Sequence, residues 1–235
     1  KISSAMARSR VSIMPSPVLL LIVAVAALVS ACAADPEPVQ DFCVAAATNG
    51  SADHPSYPGF PCKPASAVVS DDFFFAGLAR SGAADAAESP FGSSVTSGNV
   101  AAFPGLNTLG VSINRVDLAP GGVNPLHSHP RAAELVHVVT GQMLVGFVST
   151  AGTFYSKVVR EGESFVIPRG MVHFQFNTGK EAARAVTVFN SQLPGVVLAA
   201  PSLFGADPEI PDAVLSKSFQ VDGEIIKLLK SKFRT

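Results

Sequence analysis

The stretch GGVNPLHSHPRAAELVHVVTG, residues 121–141, carries the most specific pattern in this chain of 235 residues. A second stretch, GESFVIPRGMVHFQFN at residues 162–177, complements it. Three of the five histidines of the chain, His127, His129 and His173, fall in this pattern together with Glu134. Three imidazoles and one carboxylate form a donor set that suits a transition metal. The two stretches therefore predict a metal site formed by His127, His129, Glu134 and His173.

The spacing of these residues allows their side chains to meet. His127 and His129 are two residues apart, so on an extended segment both side chains point to the same face. Pro130 then interrupts the strand, and Glu134 begins a new one. His173 follows a Pro-Arg-Gly turn on a further strand. We therefore expect the four groups to point into one barrel interior.

The other two histidines are predicted to lie outside the site. His137 is three residues after Glu134, so on one strand it faces the opposite way. His54 lies in a loop near the N-terminus, where a solvated side chain is expected.

Spacing alone does not identify the metal. Three nitrogens and one oxygen suit zinc, iron or manganese. Intrinsic affinity favours copper or zinc over manganese, so geometry and supply would have to decide. Four protein ligands on an octahedral ion would leave two positions open, which implies that a small oxygen-ligand substrate or a dioxygen species reaches the metal.

From about residue 100 the chain consists of short β-branched runs separated by turn residues. Many short strands at this spacing predict an all-β barrel or sandwich. A βαβ fold is disfavoured because no helical pattern separates the runs. The predicted strands are Thr108–Leu118, Leu135–Val139, Met143–Val148, Thr153–Val159, Ser164–Ile167, His173–Asn177 and Ala185–Asn190.

Residues 1–34 have the charged, apolar and small-residue order of a secretory signal peptide. The apolar run, Val18–Val29, is shorter than the about 20 residues that span a bilayer, although an uncleaved anchor is the alternative. The chain begins with Lys1, so Met6 or Met14 is a candidate natural start, with extra residues before it.

After cleavage 17 − 3 = 14 basic residues face 18 acidic ones, a net charge of −4 that does not resemble a nucleic-acid-binding surface.

Residues 35–99 are rich in Pro, Ala, Gly and Ser and are predicted to form a loop region, with a flexible loop over 81–99. Cleavage of the leader leaves two cysteines, Cys43 and Cys62. An even pair in a secreted chain predicts a disulfide, and two free buried thiols are the alternative. Asn49 lies between them in an Asn-Gly-Ser glycosylation acceptor.

The C-terminal region is predicted to be helical, over Asp212–Ser218 and Asp222–Phe233. The second helix carries a broad apolar stripe beside three lysines. The stripe either covers its own barrel or packs on a neighbouring subunit, and the second is favoured because a small barrel fills its interior with its own side chains. The stripe consists of Ile225, Ile226, Leu228, Leu229 and Phe233.

The two stretches resemble the two motifs of the cupin superfamily, and the wider sequence resembles plant germins and germin-like proteins over essentially the whole chain after the leader. The resemblance implies a single cupin β-jelly-roll barrel with C-terminal helices over residues 100–235, assembled as a homohexamer. It implies manganese (Mn2+) on the four predicted ligands, and an extracellular location in the apoplast or cell wall, without membrane attachment after cleavage. The matching segments are Gln40–Ala45, Cys62–Pro64, Asp71–Phe73, Asn107–Gly110, Asn114–Asp117, Phe189–Gln192 and Leu228–Phe233.

Members of this family generate hydrogen peroxide, by superoxide dismutation or by oxalate oxidation. Asn114 and Asn124 match residues implicated in handling oxalate, and their amides could donate to a small anionic substrate; local turn or barrel support is the alternative. The neighbours of His127 and Glu134, and a longer loop around residues 53–60, depart from the oxalate-oxidising germins. We therefore expect superoxide dismutation, in defence or wall metabolism, with oxalate oxidase and a non-catalytic manganese-binding wall or receptor protein as alternatives.

Overall fold

A computed structural model describes residues 40–46 and 59–233. The predicted signal peptide, Asn49 and His54 lie outside these residues. Within the described part of the chain, none of the helices combines the length and apolar character that a bilayer crossing requires.

Two antiparallel sheets of five strands each form the centre of the protein, as the predicted all-β jelly-roll requires. The first sheet has the strand order β1-β2-β9-β4-β7 and the second has the order β10-β3-β8-β5-β6. The strands are β1 (Ser93–Gly98), β2 (Ser112–Leu118), β3 (Val123–Ser128), β4 (Glu134–Thr140), β5 (Gln142–Val148), β6 (Phe154–Arg160), β7 (Ser164–Ile167), β8 (Val172–Asn177), β9 (Ala183–Phe189) and β10 (Val197–Leu198).

The core lies between the sheets because each strand alternates buried and exposed positions. In β4, Glu134, Val136 and Val138 are buried, whereas Leu135 and His137 are exposed. This period of two places alternate side chains on one face of a strand. The apolar cluster occupies one part of the interior, and it contains Val116, Leu118, Val136, Val138, Met143, Val145, Val159, Ile167, Ala183 and Ala185.

The expectation of a flexible loop over residues 81–99 is wrong. This segment contains helix α1 (Ala83–Glu88) and strand β1, which pairs with β2 from Ser93 opposite Leu118 to Gly98 opposite Ile113. The strand sequence Ser-Ser-Val-Thr-Ser-Gly has a single large apolar side chain and hence no alternation to detect. Pairing with an edge of the sheet, a tertiary interaction, determines its conformation.

A disulfide closes the N-terminal segment on itself, and a buried amide joins the segment to the barrel. Cys43 and Cys62 form the predicted disulfide. Asn107 is fully buried, and its Nδ2 donates to the Phe60 carbonyl at 2.8 Å while its Oδ1 accepts from the Phe60 N–H at 3.2 Å. The Asn107 amide thus takes the place of backbone partners for both the N–H and the carbonyl of Phe60. The loop can therefore lie against the barrel with these polar groups paired.

Three helices follow the barrel: α2 (Ala199–Phe204), α3 (Asp212–Phe219) and α4 (Gly223–Phe233). The last two confirm the predicted helices, whereas α2 was not predicted because six residues with an internal proline show no helical period. Ile226 is fully buried in a cluster with Phe204 and Leu215. Ile225 and Leu228 are 45% and 58% exposed. Half of the apolar stripe thus covers its own fold, and packing of the exposed half on a neighbouring subunit stays a prediction.

The two halves of the stripe should respond differently to truncation. Ile226→Ala should lower the free energy of unfolding by about 2–5 kcal/mol, the usual cost of a cavity at a buried aliphatic residue. Leu228→Ala should change it by no more than about 0.5 kcal/mol, as expected for an exposed position. Urea unfolding of the monomer measures both, and equal losses would contradict this assignment.

Candidate metal centre

The structure brings the four predicted ligands together in the barrel interior. His127 and His173 lie on β3 and β8 of the second sheet, His129 directly follows β3, and Glu134 begins β4 of the first sheet. All four side chains are buried, and one potential ligand atom from each lies within 4.8 Å of the others. The site therefore requires both sheets, and closing the barrel also assembles the donor set.

A bulge in β3 helps to aim the histidines. Asn124 lies opposite Gln175 on β8, whereas His127 lies opposite His173, so one extra residue is accommodated between them. Pro125, which has no backbone N–H, occupies this interval, as expected where a ladder hydrogen bond is lost. The ring centroids of His127 and His173 are consequently 4.0 Å apart.

Each histidine ring is oriented by a backbone carbonyl. Nδ1 of His127 lies 2.6 Å from the Pro125 oxygen and Nδ1 of His173 lies 2.9 Å from the Met171 oxygen. Nδ1 of His129 lies 2.6 Å from the Gly195 oxygen. Because a carbonyl can only accept, these contacts place a proton on each Nδ1, so Nε2 is the nitrogen that can bind a metal once it carries no proton.

The carbonyl that orients His129 belongs to a segment fixed from several sides. Arg131 donates through Nε to the Leu193 oxygen at 2.7 Å and through its backbone N–H to the Pro194 oxygen at 3.2 Å. Gly195 adopts a φ of +68°, and a Cβ there would lie 2.8 Å from the Arg131 guanidinium. A side chain at this position would displace the guanidinium and with it the support of His129.

The Glu134 carboxylate lies among the histidines. Its Oε2 is 2.7 Å from His173 Nε2 and 3.2 Å from His129 Nε2, and its Oε1 accepts from Gln175 Nε2 at 3.2 Å. Burial by itself raises the pKa of Glu134, but the hydrogen bonds from His129 and His173 outweigh it and lower the pKa to about 2. Burial, and after it the electrostatic effect of the nearby His173 ring, lowers the pKa of His127 to about 4. Near neutral pH, Glu134 is therefore ionised and His127 is neutral, the states in which both bind a metal.

A cavity of about 500 Å3 opens onto the donor set. Asn114 and Asn124 line it, and their role in handling a substrate stays a prediction. Asn124 Nδ2 donates to Gln175 Oε1 at 2.7 Å. Among the described residues, the buried Asn114 Oδ1 and the neighbouring Thr187 Oγ1 have no hydrogen-bond partner.

Sequence analysis missed Gln175, although a usable signal was present. It follows His173 by two residues on one strand, so both side chains share a face. His137, by contrast, lies on the outer face, where its Nδ1 is 2.9 Å from Ser164 Oγ. This position agrees with its predicted exclusion from the site.

Loss of a proposed ligand should abolish tight metal binding. His127→Ala or Glu134→Ala should weaken affinity by more than about a hundredfold, because replacing residues that merely support a ligand already costs 10–100-fold. His137→Ala is the matched control and should bind normally. Elemental analysis after dialysis measures occupancy, and full occupancy in either ligand variant would refute the assignment.

The metal-free protein should gain stability as pH rises. Because the folded-state pKa of His127 is lowered from 6.5 to about 4, the unfolded chain binds the extra proton between these values. This contribution, on the order of 3 kcal/mol, is complete above pH 6.5 and lost as pH falls to about 4. The lowered pKa of Glu134 adds a similar loss of stability as pH falls from 4.5 towards about 2. Urea unfolding at several pH values measures how the free energy of unfolding changes with pH. If His127→Gln leaves this pH dependence unchanged, the contribution assigned to His127 is wrong.

Comparison with known proteins places this site in a family. A model of the family described as cupin matches residues 81–227. The chain is 76% identical to germin-like protein 3-7 of Oryza sativa subsp. japonica over 93% of both chains, and 52% identical to germin-like protein subfamily T member 2 of Arabidopsis thaliana over 85% of this chain and 86% of that one. A solved structure of an oxalate oxidase in complex with the substrate analogue glycolate is 50% identical, with a TM-score of 0.79, over 85% of this chain and 98% of the other. The chain therefore belongs to the germin-like proteins of the cupin family.

Proposed function

We propose that this chain is a secreted, manganese-binding germin-like protein of the plant apoplast that produces hydrogen peroxide by superoxide dismutation, in defence or wall metabolism. The observation that carries the proposal is a buried set of three histidines and one glutamate that faces a cavity. The proposed organisation is a signal peptide over residues 1–34, a disulfide-stapled region over 35–99, whose strand β1 joins the barrel, and the cupin barrel with its helices over 100–235.

The donor chemistry fits manganese. His127, His129 and His173 would offer their Nε2 atoms, because each Nδ1 is held by a carbonyl. Glu134 adds a hard, ionised oxygen of the kind manganese accepts. Manganese bound there would supply a one-electron couple, taking an electron from one superoxide and returning it to another.

The remaining residues of the cavity bear on proton supply. Dismutation converts two superoxide ions and two protons into dioxygen and hydrogen peroxide. In the described part of the chain, the lining residues besides His127, His129 and Glu134 are Ser, Thr, Asn, Gly, Pro and apolar side chains, none of which titrates near neutral pH. The two protons would therefore come from water in the cavity.

Oxalate oxidation is the second candidate. It is supported by the 50% identity to an oxalate oxidase that was solved with glycolate and by the position of Asn114 and Asn124 on the cavity wall. A non-catalytic manganese-binding wall or receptor protein is the third candidate, because the same ligands would also stabilise the fold.

Secretion and assembly are parts of the same proposal. The Cys43–Cys62 disulfide supports an oxidising compartment such as the apoplast. The exposed apolar side chains of α4, Ile225 and Leu228, support packing between subunits of the proposed homohexamer.

Parallel assays of manganese-loaded protein separate the candidates. We expect superoxide dismutation and no peroxide from oxalate, with dismutation kept in Asn114→Ala because superoxide needs only an open metal position. Peroxide production from oxalate that disappears in Asn114→Ala would replace the first candidate by the second. Inactivity in both assays, with metal present by elemental analysis, would favour the third.

A further inference from the structure

We propose that Asn124 and Gln175 form a positioning pair that fixes the Glu134 carboxylate so that a single oxygen, Oε2, is presented to the metal. This inference rests on the metal site of the proposed function. It gives Asn124 a role that needs no substrate. It gives Gln175, which is not among the described residues that line the cavity beside the donor set, a role in metal binding.

The pair forms a continuous line of hydrogen bonds behind the carboxylate. Gln175 is 0% exposed, and its Nε2 donates to Glu134 Oε1 at 3.2 Å. Asn124 lies directly opposite Gln175 in the β3–β8 register, and its Nδ2 donates to Gln175 Oε1 at 2.7 Å. The line therefore runs from the cavity wall to a proposed metal ligand.

The direction of this line is fixed by the carboxylate at its end. An ionised carboxylate only accepts hydrogen bonds, so Gln175 must turn its amide nitrogen towards Glu134. The Gln175 oxygen then faces Asn124, which must in turn present its own amide nitrogen. Each amide thus prevents its neighbour from exchanging the positions of its nitrogen and oxygen. In this way two neutral side chains hold one oxygen of Glu134.

The consequence for the metal lies in the other oxygen. Oε2 of Glu134 is the atom that faces His173 Nε2 at 2.7 Å and His129 Nε2 at 3.2 Å. With Oε1 turned towards Gln175, the carboxylate is set to offer one donor atom, Oε2, to the metal. A metal held by three nitrogens and one oxygen keeps positions open for a substrate, which a chelating carboxylate would reduce.

Manganese binding without any substrate tests the pair. Gln175→Met keeps the approximate size of the side chain but removes both hydrogen bonds, and it should weaken Mn2+ affinity by about 10–100-fold, as for other residues that orient a ligand. Asn124→Leu should weaken it less. Because Asn124 acts through Gln175, the double variant should bind no more weakly than Gln175→Met alone.

The electron paramagnetic resonance spectrum of bound Mn2+ gives a second readout, since it reports the symmetry of the ligands. We expect it to change in Gln175→Met and in Asn124→Leu. Gln142→Met is the matched control: its amide bonds Thr178 at the surface, away from the site, and it should leave affinity and spectrum unchanged.

Three results would overturn the proposal: Gln175→Met with wild-type affinity and spectrum, multiplicative losses in the double variant, or an unchanged spectrum in Asn124→Leu. Should Gln175→Met fail to fold, Asn124→Leu alone decides, because a residue that only contacts substrate leaves the substrate-free spectrum unchanged. Activity is assayed separately on the wild type. If the protein binds manganese but turns over neither superoxide nor oxalate, the proposed function is refuted. The affinity and the spectrum of bound Mn2+ would still decide the role of the pair.

Discussion

The burial of one ionised carboxylate is the constraint on which the rest of the site depends. Glu134 is only 3% exposed, and a charge removed from water is stable only when other groups replace the hydration. Three side chains do so: His129 and His173 at one oxygen and Gln175 at the other. The two sheets must meet at a fixed separation for these contacts to form, so the site and the closure of the barrel impose the same geometry.

This constraint also separates the interior into two zones. The apolar cluster around Val136 and Met143 supplies the burial that holds the sheets together. The polar zone contains the histidines, Glu134 and Gln175, all of them buried. Such a zone is costly unless each member finds a partner, and here the hydrogen bonds among neighbours provide them. Asn114 Oδ1 and Thr187 Oγ1 are unpaired in the described structure, and both residues border the cavity.

Much of this arrangement was predictable from local patterns. Strand alternation gave most of the barrel, and the two-residue spacing of His127 and His129 placed both rings on one face. Strand β1 and helix α2 escaped prediction because a Ser-rich edge strand and a six-residue helix depend on tertiary contacts. The Gly195 carbonyl could not have been predicted, since it lies 66 residues from His129 and belongs to the backbone. Gln175 could have been predicted, because the two-residue spacing that was used for His127 applies to this position as well.

The carbonyl contacts of the three rings have a consequence for how the protein tolerates mutation. Ring orientation depends on main-chain oxygens at residues 125, 171 and 195, and every amino acid carries such an oxygen, although position 195 still requires glycine. Replacing Met171, for example, alters a side chain but keeps the acceptor for His173. Sequence drift around the site can therefore reshape the cavity wall while the imidazoles stay in place. In this protein, the part of the site that selects a substrate can diverge more freely than the part that holds the metal.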